Sequence, residues 1–137
     1  MAAAINPSLE KGARRWRLLL CGLLLLTGCG EDKPTSEWVV QLQASDSSQR
    51  LHAIKALAGR KADAQTVVPA LIPALKDQDA FVRRDAATAL GRLGRAATDA
   101  VPALLPLLRD HHASVRKAAA SAIKKIDPEA ATKAHVH

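Results

Sequence analysis

The side chains of this sequence with the types and spacing to do chemistry are a cysteine, a few histidines, a pair of aspartates and a recurring set of basic residues. Cys29 closes the stretch "LLLLTGCG"; its thiolate is a nucleophile able to accept an acyl or alkyl group. Cys21, the other cysteine, lies within the apolar run just upstream, so no cysteine follows Cys29 to build a disulfide framework or a thiolate metal site. The histidines lack ligand spacing: His111 and His112 are adjacent, His135 and His137 lie at the end of the sequence, and His52 has no histidine three or four residues away. Helical zinc pairs sit three or four apart, so no metal site is expected. Asp77 and Asp79 flank one residue between two helical patterns. Turn and helix-cap roles explain them better than a paired-carboxylate mechanism, which needs two acids aimed at one substrate. No Gly-rich phosphate motif is present, and we assign no catalytic residue and no cofactor.

The segment before Cys29 has the order of an export signal. Lys11, Arg14, Arg15 and Arg17 precede an uncharged apolar run from Leu18 to Leu26, a basic region followed by an apolar one. That run is about half of the ~20 residues that cross a bilayer as a helix, which argues against a span. Leu26-Thr27-Gly28-Cys29 resembles a bacterial lipobox, with Leu at −3, small residues at −2 and −1 and Cys at +1. The resemblance implies a signal peptide over 1–28, a lipid on the Cys29 thiol carrying palmitate-type chains, and a lipidated tether over 29–35. It also implies a cell-membrane anchor. Gly30 in place of Asp at +2 favours the outer membrane, facing the periplasm, where the source has two membranes. The signal segment carries three of the seven net positive charges. The tether from Gly30 to Thr35 reaches ~20 Å when extended, so the folded part would sit near the bilayer.

The elements that must position any site are repeats. Val68 to Gly94 set above Val101 to Asp127, a shift of 33 residues, gives 13 identities in 27 positions. The same shift backward aligns Leu42, Asp46, Arg50, Ala53, Ala56 and Leu57 with a third, weaker copy. The copies span about 36–60, 66–94 and 99–127 within a repeat domain over 36–127, followed by a tail over 128–137. Each reads as two helices. In the second copy Thr66 is expected to cap the first helix, with Pro69 in its opening turn. Pro73, matched by Pro106, is expected to bend that helix. The second helix should run from Ala80 to Leu93, capped by Asp79 and stopped by Gly94. Val82, Ala86, Ala89, Leu90 and Leu93 fall on its buried face.

The block "LIPALKDQDAFVRRDAATALGRLG" and its copy "LLPLLRDHHASVRKAAASAIKKI" resemble the short HEAT-like repeats also found in the phycobilisome lyase group. The fold class expected is therefore all-α, an α-α superhelix: a short solenoid of about three HEAT-like helix pairs. In that family the second helices line the concave side and most members act as binding scaffolds.

Two basic series recur at the repeat spacing. Arg50, Arg83 and Arg116 are expected to form a structural ladder, each reaching the acidic turn or the last helix carbonyls of a neighbouring copy. Arg84, Thr88 and Arg92 lie at i, i+4 and i+8, with Lys117, Ser121 and Lys125 matching them one copy later and Lys55 matching Thr88 one copy earlier. Stacked copies would align these into a candidate binding surface for an acidic protein, anionic lipid headgroups or a cell-wall polymer. Nucleic acid is disfavoured, because Trp38 and Phe81 are the only aromatics after Cys29 and base stacking needs more. The expected function is a membrane-anchored lipoprotein acting as a non-enzymatic scaffold for a protein partner; the competing expectation, from the family resemblance, is a lyase-like enzyme or subunit acting on a bound chromophore.

Overall fold

The computed structural model describes residues 33–136. The expected signal peptide, Cys29, most of the expected tether and His137 lie outside the described residues. Within them the chain is all-α: α1 (Thr35–Gln41), α2 (Ser47–Leu57), α3 (Ala64–Leu71), α4 (Ala80–Leu93), α5 (Val101–Leu104), α6 (Ala113–Ile126) and α7 (Pro128–Lys133). The 3₁₀ segments Lys61–Asp63, Pro73–Lys76, Gly94–Ala100 and Leu105–Arg109 join or extend them. The pairs α1–α2, α3–α4 and α5–α6 stack into a short solenoid in which α2, α4 and α6 pack side by side.

Local chemistry sets the helix ends. Asp79 is extended and its carboxylate accepts the Phe81 N–H at 2.8 Å, starting α4; Asp46 does the same for Ser48 at 3.0 Å before α2. His112 occupies the corresponding place before α6 and makes no such bond. There Asp110 accepts the His112 N–H at 2.9 Å. Gly94 ends α4 at φ +63°, a conformation that glycine reaches without steric cost. The bends at Pro73 and Pro106 take the form of a change of helix type. α3 and α5 give way to 3₁₀ turns there, because proline has no N–H for the α-helical bond.

The second copy departs from expectation at its start. α3 begins at Ala64, not after Thr66, and Pro69 lies inside it. Asp63, at the cap position, makes no capping bond, and its carboxylate instead accepts the Thr35 hydroxyl. Arg60 completes this clip, donating to Thr35 Oγ1 at 3.1 Å and to the Lys33 carbonyl at 2.7 Å. The 3₁₀ turn Lys61–Asp63 runs into the helix and moves its start forward.

The core lies between the helix pairs. Trp38, Ile54, Leu57, Leu71, Leu75, Leu90, Leu104, Ile123 and Ile126 are almost wholly buried, each contributing about 1.5–3 kcal/mol of apolar burial. Ala53, Ala86, Ala87, Ala89 and Ala119, carried by the second helices α2, α4 and α6, are buried as well, and such small side chains let packed helices approach closely. The approach is tightest at Gly91, where a Cβ would lie 3.0 Å from the Ala122 Cα.

Candidate functional site

The recurring arginines build the joints. Arg50 on α2 grips Asp77 with one edge of its guanidinium, Nε to Oδ2 at 2.8 Å and Nη2 to Oδ1 at 3.0 Å. Arg83 on α4 grips Asp110 in the same way, at 2.8 and 3.1 Å. The remaining guanidinium nitrogen turns inward: Arg50 Nη1 donates to the Ala44 and Ser45 carbonyls at 2.8 and 2.9 Å. Arg83 Nη1 donates to those of Asp77 and Gln78 at 2.7 and 3.0 Å. Each arginine therefore pins its own turn and holds the acid of the next copy. The carbonyls it takes belong to its own copy rather than to a neighbour. Arg116 pins its own turn through the Asp110 and His111 carbonyls at 2.7 and 3.1 Å, and no acid among the described residues forms a salt bridge with it.

The acids are spent on these joints. Asp77 and Asp110 each accept a backbone N–H two residues on, at 2.9 Å. The Arg83 hydrogen bond above all, aided by the His112 N–H, holds the Asp110 carboxyl down at about 2, against the opposing effect of burial. His112 Nδ1 lies 3.5 Å from Asp110 and 3.4 Å from Arg83 Nη2. No group of three histidines, cysteines or acids placed to hold a metal occurs among the described residues.

The second basic series lines two neighbouring grooves. Between α2 and α4, Lys55, Arg84, Thr88 and Arg92 surround a cavity of about 290 Å³ with Asp85 as its acid. Between α4 and α6, Thr88, Lys117, Ser121 and Lys125 surround a cavity of about 230 Å³ whose floor is Gly91 and Ala122. Thr88 borders both, so the seven residues form one strip across three helices. Its hydroxyl donates to the Arg84 carbonyl at 2.9 Å, which leaves its lone pairs facing outward as acceptors.

Sequence reasoning missed two members of this surface. Asp85 binds Arg84, Nη2 to Oδ1 at 2.7 Å, although adjacent helix residues do not ordinarily face one another. Phe81, 59% exposed, lies under the Arg84 guanidinium with 5.1 Å between Cζ and the ring centroid. The charge on Arg84 is thus shared with a carboxylate and a ring face, and Lys55, Arg92, Lys117 and Lys125 are the strip's other cations.

A family model described as HEAT repeats matches residues 35–124. The chain belongs to the HEAT-repeat family. No curated protein matches this HEAT-repeat chain. Among solved structures it is similar to a chain of the complex of CpcE and CpcF of phycocyanin lyase from Nostoc sp. PCC7120, with 32% sequence identity and a TM-score of 0.69. The match covers 79% of this chain and 42% of that one, so the HEAT-repeat chain spans less than half the length of the structure it matches. This likeness corrects the expectation of a non-enzymatic scaffold: the structure matched belongs to a lyase, which favours the competing expectation. The error came from equating enzyme with phosphate loop, metal set or paired acids. Binding and positioning a ligand for reaction leave none of those marks in a repeat.

Proposed function

We propose that this HEAT-repeat protein is a lyase-type unit that holds an anionic linear tetrapyrrole in the paired grooves of α2, α4 and α6. The observation that carries the reading is the 32% identity over 79% of the chain to a phycocyanin lyase structure. The chemistry of the strip supports it. A tetrapyrrole presents propionate carboxylates, which Lys55, Arg92, Lys117 and Lys125 can meet with charge-assisted hydrogen bonds. It also presents pyrrole N–H donors, for which Thr88 and Asp85 offer acceptor oxygens. In a lyase addition to such a pigment, an acceptor thiol adds across an exocyclic C=C: the C–S bond forms, the π bond breaks and the thiol proton moves to the adjacent carbon. In this proposal the thiol is the acceptor protein's, and this chain contributes orientation and fixed charge.

The test is pigment retention followed by transfer. Purified full-length protein is mixed with a linear tetrapyrrole, desalted and read by visible absorbance, then incubated with a thiol-bearing acceptor and analysed under denaturing conditions for covalent colour. Retention should fall at least tenfold when Arg92, Lys117 and Lys125 are each changed to Glu, with the helical circular dichroism unchanged. A colourless wild-type protein with no transfer sinks the reading.

The anchor belongs to the same proposal and rests on the Leu26-Thr27-Gly28-Cys29 pattern after a basic and apolar leader. Lipid on Cys29 holds the repeats at a membrane, in the outer membrane facing the periplasm where there are two. Labelled palmitate should follow the wild-type chain and be lost from Cys29→Ala; label that persists in the variant counts against the anchor.

A further inference from the structure

The two grooves of the basic strip differ in the sign of what lines them. Lys117 and Lys125 flank the α4–α6 groove, Thr88 and Ser121 add hydroxyls, and among the described residues no acid borders it. The α2–α4 groove gathers Lys55, Arg84 and Arg92, and sets one carboxylate among them, that of Asp85. A face that served only to attract anions would gain nothing from this carboxylate, which repels every negative group brought near it. Asp85 is also held in place. Arg84 folds back along its own helix and gives both Nε and Nη2 to a single oxygen, Oδ1, at 2.8 and 2.7 Å, while its guanidinium lies over the Phe81 ring. Neither contact uses Oδ2, and the Asp85 side chain is 16% exposed, so the lone pairs of that oxygen can accept from a donor entering the groove.

We infer that Asp85 is the specificity determinant of the strip: it admits a ligand with N–H donors along one edge and carboxylates along the other, and turns away ligands that are anionic throughout. A polyphosphate or a polysulfonate has no N–H for Oδ2 and must lie against a carboxylate as well as against the cations. An open-chain tetrapyrrole carries its nitrogens along one edge and its propionates on the opposite edge. Packed helices lie about 8–10 Å apart, so neighbouring grooves can take the two edges of one such molecule. The nitrogen edge meets Asp85 and the propionates meet Lys117 and Lys125, which fixes the direction in which the ligand lies. For the ligand admitted, the inference rests on the pigment reading; the exclusion of plain anions does not.

The test is a titration of the full-length protein with two optical probes, a linear tetrapyrrole diacid and pyrene tetrasulfonate, which is anionic throughout and has no N–H. Wild type should hold the tetrapyrrole about tenfold more tightly than the sulfonate. Asp85→Asn keeps the shape and removes the charge, and should move the probes in opposite directions, the sulfonate about fivefold tighter and the tetrapyrrole about fivefold weaker. Opposite signs in one variant cannot come from loss of fold. Asp85→Glu, which keeps the charge, should keep the wild-type order of preference. Lys117→Gln combined with Lys125→Gln should weaken both anions about tenfold and leave the tetrapyrrole dimethyl ester, which has lost its carboxylates, unaffected, whereas Asp85→Asn weakens the ester too. Both probes moving together in Asp85→Asn is the outcome expected if Asp85 only holds Arg84, and it overturns the inference. So does a sulfonate affinity that Asp85→Asn leaves unchanged, or a wild type that prefers the sulfonate. A wild type that holds no tetrapyrrole while Asp85→Asn gains the sulfonate sinks the pigment reading and supports the exclusion of plain anions.

Discussion

At the joint of α2 with α4 the small residues beneath the groove are Ala58 and Ala89; at the joint of α4 with α6 they are Gly91 and Ala122. One methyl group separates the two designs. Without it α4 and α6 come close enough that a Cβ on Gly91 would lie 3.0 Å from the Ala122 Cα and 3.2 Å from its Cβ. The groove above is smaller, about 230 against about 290 Å³, and the two helices share a more extensive contact than α2 and α4 do. The salt bridge follows the packing: the side chains of Arg83 and Asp110 are 13% and 8% exposed, those of Arg50 and Asp77 17% and 13%. A repeat protein can therefore set the spacing of successive helices residue by residue, making one groove roomy and its neighbour tight with the same ladder on both.

The largest effect should come from returning bulk to the tight joint. Gly91→Val must push α6 away through backbone atoms and should cost about 3 kcal/mol, whereas Ala58→Val should cost about 1 kcal/mol. Urea unfolding followed by circular dichroism decides this, and equal costs would break the comparison. Next, Asp110→Ala strips Arg83 of its partner in the more buried pair and should cost about 2–3 kcal/mol, against about 1–2 kcal/mol for Asp77→Ala.

Acid sharpens the comparison further. The Asp110 carboxyl is held at about 2, below its ordinary 3.8, so its contribution is complete above about pH 4 and is lost as pH falls through about 2. The gap in stability between wild type and Asp110→Asn should narrow by about 1 kcal/mol, after discounting for solvent screening, between about pH 4.5 and pH 2. Thermal midpoints across that range test it, and a constant gap would count against the Arg83 bond as the cause. The smallest effect is expected at the groove rims. Lys55→Gln and Lys125→Gln, both exposed, should leave stability within about 0.5 kcal/mol while each weakens retention of an anionic ligand, and a large loss of stability at either would give these lysines a structural role.

Much of this was legible in one dimension. The shift of 33 residues, the Asp79 cap, the Gly94 stop and the prolines that alter the first helices are local features, and the structure carries each of them. The start of α3 was not, because Thr35 takes the carboxylate of Asp63 from 28 residues away and the helix begins without a cap. Nor was the Arg84–Asp85 pair, since adjacency on a helix argues against a contact that a long side chain can still make by folding back. The lyase reading was legible only through resemblance, because a groove that orients a ligand uses common residues whose meaning lies in their arrangement.

The sequence by itself determined the number of copies, the helix pairs, the arginine at one place in each copy and the basic series one residue beyond it. Those follow from periodicity and capping, which act within a few turns of chain. Only the tertiary structure decided what each arginine holds. The acid that meets Arg50 or Arg83 lies 27 residues on, because it stands in the turn before the next copy's second helix and reaches the arginine only when successive copies stack. How closely they stack depends on whether alanine or glycine stands at the joint.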